Sequence, residues 1–312
     1  MSVGDSGELQ GVWIVELSGK VAVITGGASG IGYAMAERFA QAGMRIVLAD
    51  IEEGALQTAV ERLAGAGADV IGLRTDVANF TDLQALEARA VEKYGKVHLL
   101  CNNAGVSITG PAWKFSLDDW RWVMDVNVNG VIFGVKAFLP GMLEHGEPAH
   151  IVNTGSLASF NAIGDHSPYC TSKFAVLGFT QSLYSEMVAL KTNVGVSILA
   201  PGMVATGINR AWRNRPDSDK PWSDREYADE TFMAHSNAFQ GAGISADVVA
   251  ERVVEAVQGG RFYIFTEDGA PAYVAATAGR AATGQNPYAW TWGEDRRSES
   301  ERGTPPWMAE TV

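Results

Sequence analysis

The sequence predicts an α/β fold, a single doubly wound parallel sheet of about seven strands with helices on both faces. Three observations lead there. Short β-branched apolar runs alternate with helical patterns at about 25-residue steps through the first half of the chain. A glycine-rich turn, Gly26 to Gly32, separates the first run from the first helical pattern. A carboxylate, Asp50, closes the second run.

Taken in order, Lys20–Thr25 reads as a strand buried on both sides, because it is a short apolar run without polar alternation. A helical pattern follows the glycines through Met35, Phe39 and Ala42 to Gly43. Arg45–Ala49 is the second strand, and Glu53–Ala64 a helix stopped by Gly65 and Gly67. Asp69–Arg74 is the third strand, Thr81–Tyr94 a helix with Gly95 behind it, and Val97–Asn102 the fourth strand. Leu117–Glu144 reads as a long helix interrupted near Asn127–Gly130, and Ala149–Thr154 as the fifth strand. Pro168–Leu190 is a helix with Ser167 as its cap, since a hydroxyl followed by a fixed-φ proline favours helix entry. Val194–Ala200 is the sixth strand.

After Pro201 the rhythm changes. Residues 203–243 lack periodicity and carry Met203, Ile208, Trp212, Trp222, Tyr227, Phe232, Met233 and Phe239, which reads as a lid or binding loop. Ser245–Gln258 resumes a helix, with Ser245 as its cap, and Phe262–Phe265 is the seventh strand. The expected organisation is a leader over 1–17, one domain over 18–270 with the 203–243 loop inside it, and a C-terminal extension over 271–312.

Composition narrows the function. The 312 residues hold 24 basic and 36 acidic side chains, a net charge of −12, which argues against a nucleic-acid partner. Met1–Gln10 has no basic region of a secretory signal, and the apolar stretch Val126–Leu143 is broken by Asn127, Asn129 and Lys136, so no membrane span is expected. Cys101 and Cys170 are far apart and the five histidines lack ligand spacing, so neither a disulfide framework nor a metal site is expected. A reducing, cytoplasmic setting follows. Cys170 reads as a small buried filler.

Two groups of residues point to chemistry. A strand–glycine turn–helix unit lets backbone approach a pyrophosphate at a helix N-terminus. Here the spacing is Gly26-x-x-x-Gly30-x-Gly32, without the Gly-Lys-Ser/Thr of a P-loop. Asp50, eighteen residues beyond Gly32, is placed to accept from adenosine ribose hydroxyls and to repel a 2′-phosphate. Ile51, Glu52 and Glu53 follow it rather than an arginine, so NAD is expected over NADP. The second group is Tyr169 and Lys173, four apart on one helix face, with Ser156 upstream. An ammonium beside a phenol favours the phenolate and can make a base of it. A Tyr-x-x-x-Lys pair alone is common, and taken alone chance placement on an amphipathic helix is the better reading of it.

The neighbouring motifs shift that balance. Thr25 to Gly32 resembles the TGxxxGxG fingerprint of the short-chain dehydrogenase/reductase family, and Asn102-Asn103-Ala104-Gly105 resembles its NNAG motif. Asn127, Ser156, Tyr169 and Lys173 are similar to its catalytic tetrad, including the thirteen-residue gap from serine to tyrosine. The resemblance extends over about residues 18–265 and implies a Rossmann-type fold and these roles. Tyr169 exchanges the substrate proton; Lys173 lowers the phenol pKa and holds nicotinamide ribose hydroxyls. Ser156 hydrogen-bonds the substrate oxygen, and Asn127 interrupts its helix to hold a relay water. Gly26, Ser29, Gly30, Ile31 and Gly32 take the pyrophosphate, and Asp50 the ribose. Asp76 and Val77 contact adenine, and Asn103, Ala104 and Gly105 line the cofactor side. Pro201, Gly202, Val204 and Thr206 form the nicotinamide-side loop.

Two departures stand out. Gly155 precedes Ser156 where the family often has serine, and Gly259–Ala270 lacks the usual C-terminal run, which leaves a homodimer through the long helices or a homotetramer open. The leading expectation is an NAD-dependent alcohol dehydrogenase acting on a small-molecule secondary alcohol or ketone, bulky and hydrophobic or aromatic given the tryptophan-containing loop, whose apolar residues would equally suit a contact with another subunit. The alternatives are an NADPH-dependent carbonyl (3-oxoacyl-type) reductase, which Asp50 disfavours, and a non-catalytic dinucleotide sensor.

Overall fold

The structure is a computed structural model of the chain, describing residues 15–216 and 241–288. Among the described residues seven strands form one sheet: β1 (Val21–Thr25), β2 (Arg45–Asp50), β3 (Val70–Arg74), β4 (Leu99–Asn102), β5 (Ala149–Thr154), β6 (Val194–Ala200) and β7 (Tyr263–Phe265). Their order is β3-β2-β1-β4-β5-β6-β7, and every pairing is parallel. The chain therefore winds outward one way from β1 and the other way from β4. Loops leaving these two strands part at their carboxyl ends, which opens a crevice there.

The helices among the described residues are α1 (Gly30–Gln41), α2 (Glu53–Gly65), α3 (Phe80–Tyr94), α4 (Leu117–Met124), α5 (Gly130–His145), α6 (Ser167–Ala189), α7 (Ala246–Gln258) and α8 (Ala270–Ala282). Period-two alternation in the strands builds a core on each face. Ala22, Ile24, Ile46 and Leu48 pack with Met35 and Phe39 of α1, Leu63 of α2 and Val253 of α7. Val21, Val23 and Val47 pack with Leu86 of α3, Phe138 of α5 and Leu183 of α6 on the other face.

The long helix expected over Leu117–Glu144 is three pieces, α4, a π turn at Asp125–Asn129, and α5. The Gly130 N–H reaches back to the Asp125 carbonyl, and the extra residue in that turn re-aims the side chains around Asn127. By length and composition the run Leu117–His145 resembles a membrane span, with mean hydropathy 1.4 in an 18-residue window. It packs on α3, β4 and β5, where a core-covering helix belongs.

Three details differ from expectation or add to it. Ser167 lies inside α6 rather than capping it, so its buried hydroxyl has no partner, and His166 occupies the cap position. Ser245 does cap α7, accepting from the Val248 N–H at 3.4 Å. Helix α8 lies in the segment read as an extension, where an alanine-rich stretch carries little periodicity. Of the apolar residues noted after Pro201, Trp222, Tyr227, Phe232, Met233 and Phe239 lie outside the described residues. The base of that insertion is closed by a parallel bridge between Val204 and Ile244, with Ala205 N–H on the Ile244 carbonyl at 2.9 Å and Ile244 N–H on the Met203 carbonyl at 3.0 Å.

A Cβ added to Gly134 of α5 would lie 2.1 Å from Asn102 Oδ1, whose amide donates to Asn153 Oδ1 at 2.9 Å. Gly134→Ala, which on propensity alone would stabilise a helix by about 1 kcal/mol, is therefore expected to destabilise by roughly 2 kcal/mol in urea unfolding. Gly54→Ala in α2, where nothing lies within 4 Å, is expected to be neutral or mildly stabilising in the same assay.

Candidate active site

The crevice is built from β1 outward. Thr25 Oγ1 at its end accepts from the Asn103 and Ala104 N–H groups at 3.0 and 3.1 Å, tying the turn after β4 to the turn after β1. The Asn103 side chain donates to the Thr25 and Gly26 carbonyls at 3.1 and 3.3 Å. Gly26 and Gly30 have φ of +62° and +54°, which L side chains rarely adopt. A Cβ on Gly32 would lie 2.1 Å from the Gly26 carbonyl oxygen, so only glycine lets α1 start this close to the turn. Ser29 stands at the cap position without bonding the helix amides, and no acidic residue sits in the first turn. Helix α1 thus presents uncapped N–H groups and its positive end to the crevice, which is the donor set a pyrophosphate requires.

Asp50 ends β2 at the rim. Its carboxylate accepts from the Ala28 N–H at 3.0 Å and the Glu52 N–H at 3.1 Å, while burial raises its pKa. Asp76 Oδ1 accepts from the Ala78 N–H at 3.0 Å and so shapes the turn after β3.

On the other side of the crevice, α6 carries Tyr169 and Lys173 one turn apart. Lys173 is 3% exposed, donates to the Thr154 carbonyl at 2.8 Å, and holds its Nζ 5.5 Å from the Tyr169 ring centroid. Ser156 Oγ accepts from the Ala158 N–H at 3.1 Å and stands beside the Tyr169 hydroxyl, whose ionised form it favours. Behind them Asn127 is locked in place. Its Oδ1 accepts from the Val106 N–H at 2.8 Å, and its Nδ2 donates to the Val106 carbonyl and Ser172 Oγ, both at 2.9 Å.

Burial governs the electrostatics. It pushes the Tyr169 phenol up to about 12, opposed by the Ser156 hydroxyl, and it pulls the Lys173 ammonium down to about 8. The sequence reading expects Lys173 to lower the phenol pKa. Among the protein's own groups desolvation wins instead, because one low-dielectric pocket penalises phenolate and ammonium alike. A further positive charge in the pocket would favour the phenolate.

All these elements enclose one cavity of about 1040 Å³, at the top of the usual range of roughly 300–1,000 Å³ for small-molecule sites. Gly26, Ser29, Gly30, Ile31, Asp50, Asp76, Val77, Asn103, Ala104, Gly105, Ser156, Tyr169, Lys173, Pro201, Gly202, Val204 and Thr206 line it. Gly32 and Asn127 do not. The first permits the helix–turn approach, and the second is buried behind the wall, 1% exposed. Several lining residues have no motif to announce them. Tyr273 of α8 is 1% exposed and stacks near Tyr288 with ring centroids 6.2 Å apart. Asn161 of the cavity wall donates to the Tyr288 carbonyl at 3.4 Å, which ties the C-terminal segment to the site. Glu267, after β7, accepts the Gly202 N–H at 3.1 Å, so the loop after β6 is anchored by a carboxylate. His166 lines the cavity as well, bonded to Thr109 Oγ1 at 3.1 Å. Cys170 bonds the Ile163 backbone and has its pKa raised by burial, the state of an inert thiol.

A parallel sheet whose strand order reverses between β1 and β4, with a glycine turn at the crevice, defines the Rossmann-type class. The family described as short chain dehydrogenase matches residues 20–217, and the chain belongs to that family of oxidoreductases. A 1-deoxy-11-beta-hydroxypentalenate dehydrogenase from Streptomyces avermitilis is 37% identical over 254 residues, covering 81% of this chain and 86% of its own length. The C alpha-dehydrogenase of Sphingobium sp. strain SYK-6 is 34% identical over 250 residues, 78% of this chain and 79% of its own. A crystal structure of a short chain dehydrogenase/reductase from Burkholderia phymatum in complex with NAD aligns with a TM-score of 0.84 at 43% identity, covering 88% of this chain and 98% of that one.

The buried Lys173 gives a stability prediction. Its folded pKa, about 8, lies below the ordinary value of 10.5, so the unfolded chain binds more protons between these values and stability rises with pH across that window. Desolvating the charge costs about 3 kcal/mol below it, and leaving the Thr154 carbonyl without a partner costs about 1 kcal/mol. Lys173→Met is therefore expected to be more stable than wild type at pH 7, by roughly 2 kcal/mol, with the gain shrinking from pH 8 towards 10.5. Urea midpoints measured across that range check both the sign and the slope.

Proposed function

We propose that this protein is an NAD-dependent dehydrogenase that oxidises a secondary alcohol, or reduces the corresponding ketone, with Tyr169 as the acid–base group. One observation carries the reading: the Ser156 hydroxyl, the Tyr169 phenol and the buried Lys173 ammonium meet in the same cavity whose rim holds Asp50. Bound NAD supplies a hydride acceptor and, in its oxidised form, an added positive charge that favours the phenolate. Gly26, Ser29, Gly30 and Ile31 would hold its pyrophosphate, and Asp50 its adenosine ribose. Asp76 and Val77 would hold adenine, and Asn103 to Gly105 with the loop from Pro201 to Thr206 its nicotinamide half. The NAD in the Burkholderia phymatum relative supports this assignment.

The chain's own groups then divide the proton chemistry. Ser156 donates to the substrate oxygen and fixes it beside the phenol. Tyr169 takes the hydroxyl proton on oxidation and returns it on reduction. Lys173 steadies the phenolate and, through Thr154, is held to a fixed position in the sheet. Asn127 keeps Val106 and Ser172 in register behind the pocket, so its side chain acts by positioning, and any relay water would fall to its backbone.

The substrate half carries apolar and aromatic side chains, Val106, Trp122, Ile163, Met203, Ile208 and Tyr273, beside polar ones such as Thr109, Asn161 and His166. This supports a bulky hydrophobic alcohol, as does likeness to an enzyme named for 1-deoxy-11-beta-hydroxypentalenate. Residues 18–270 form the catalytic domain in this reading, and α8 of the following segment completes its wall. Exposed Leu117, Leu143 and Phe174 on α4, α5 and α6 favour a homodimer through those helices.

Tyr169→Phe is expected to reduce kcat by about 10²–10⁴-fold while NAD still binds, as read by NADH absorbance and calorimetric titration. Substantial turnover in that variant would remove Tyr169 from its role. Tyr273→Ala is expected to raise KM about tenfold for bulky ring alcohols and to leave KM for propan-2-ol within about threefold, since only the larger substrate reaches that wall. Equal loss for both would place Tyr273 in the fold rather than in substrate selection.

A further inference from the structure

Asp50 is not the only acid at the ribose end of the cavity. Glu52, two residues on, has its Oε1 bonded by Arg213 Nη2 at 2.5 Å and by Asn214 Nδ2 at 2.9 Å. Both donors belong to the 3₁₀ segment Ile208–Asn214, which leaves the nicotinamide-side loop and crosses back to the end of β2. The Glu52 backbone N–H also binds Asp50 Oδ1 at 3.1 Å, so the two acids and the arginine form one cluster. Asp50, Glu52, Arg213 and Asn214 all line the cavity. The other guanidinium nitrogen, Nη1 of Arg213, donates to the Arg210 carbonyl at 2.8 Å, which fixes the side chain in this direction.

The remaining arginines of the cavity are matched too. Arg215 pairs with Asp119 at 3.2 Å, and Arg121 with Asp118 at 2.6 Å. Arg74, paired in register with Asp50 on β3, is exposed and is not among the cavity residues. Arg213 is thus the cavity-lining guanidinium bound beside Asp50, and a guanidinium is the side chain best shaped to grip a phosphate.

We propose that Glu52 is a second determinant of dinucleotide choice, sequestering Arg213 so that this cation cannot receive a 2′-phosphate. The inference rests on the NAD-linked reading above and deepens it. Selectivity then has two parts: Asp50 repels the extra phosphate, and Glu52 withholds the group that would compensate the repulsion. Sequence reading counts only the absence of an arginine directly after Asp50. The fold brings one there from 161 residues away.

The test is calorimetric binding of NAD⁺ and NADP⁺ to the full chain, comparing wild type, Glu52→Gln and the double variant Glu52→Gln/Arg213→Ala. The ratio of the two dissociation constants is expected to move about tenfold or more towards NADP⁺ in Glu52→Gln, and to return towards wild type in the double variant. Glu52→Ala, which removes the side-chain oxygen altogether, is expected to shift the ratio at least as far. An unmoved ratio in both single variants overturns the inference, and so does a gain that survives loss of Arg213, since removal of one negative charge would then explain it. A wild type that binds NAD⁺ no better than NADP⁺ instead overturns the NAD-linked reading, and this inference with it.

Discussion

A single ammonium taken out of water organises the site. Lys173 is buried on α6, and the carbonyl at the end of β5 gives it a partner, so helix and strand must meet in one register. The residue before it, Ser172, bonds Asn127 in the π turn, and Asn127 in turn clasps the backbone of Val106. Three segments far apart in sequence are thereby fixed relative to one amine. The low dielectric that makes this charge costly also holds the phenol of Tyr169 neutral, so the pair stands ready for a change in local charge rather than already ionised.

The crevice follows a different logic, based on backbone. Thr25 and Asn103 stitch the two central turns together, glycine at positions 26 and 32 lets helix, turn and neighbouring loop approach to distances that a Cβ would forbid, and Gly30 supplies a positive φ. The donor surface at the start of α1 arises because Ser29 does not satisfy the helix end. Polar side chains support the floor: Asn102, Asn153 and Thr180 form a buried chain across β4, β5 and α6.

Much of this was legible because the signals are local. All seven strands follow from apolar runs bounded by turn residues, and Ala149–Thr154 and Val194–Ala200 agree to the residue with the expectation. The break near Asn127–Gly130 was readable from paired asparagines in an apolar helix, although its π character was not. The turn and helix motifs located fewer than half of the residues that line the cavity. What escaped depends on tertiary approach. Tyr273 lies in an alanine-rich stretch without a motif, and Glu267 matters only because β7 brings it against Gly202. Ser167 looked like a cap from its neighbour Pro168, yet the helix begins one residue earlier. The partnership of Glu52 with Arg213 could not be read from residues standing so far apart in the chain.

The bridge between Val204 and Ile244 frees the insertion from a fixed length. Two backbone hydrogen bonds join the chain on either side of the inserted segment, so β6 and α7 are connected at a fixed spacing whatever lies between. Lengthening a flexible loop adds only slowly to the entropy of closing it, about 0.6 kcal/mol per doubling. A change of length between Pro216 and Gly241 would therefore leave the spacing of β6 and α7 as it is, while Thr206, Ile208, Arg213 and Asn214 keep their places at the cavity.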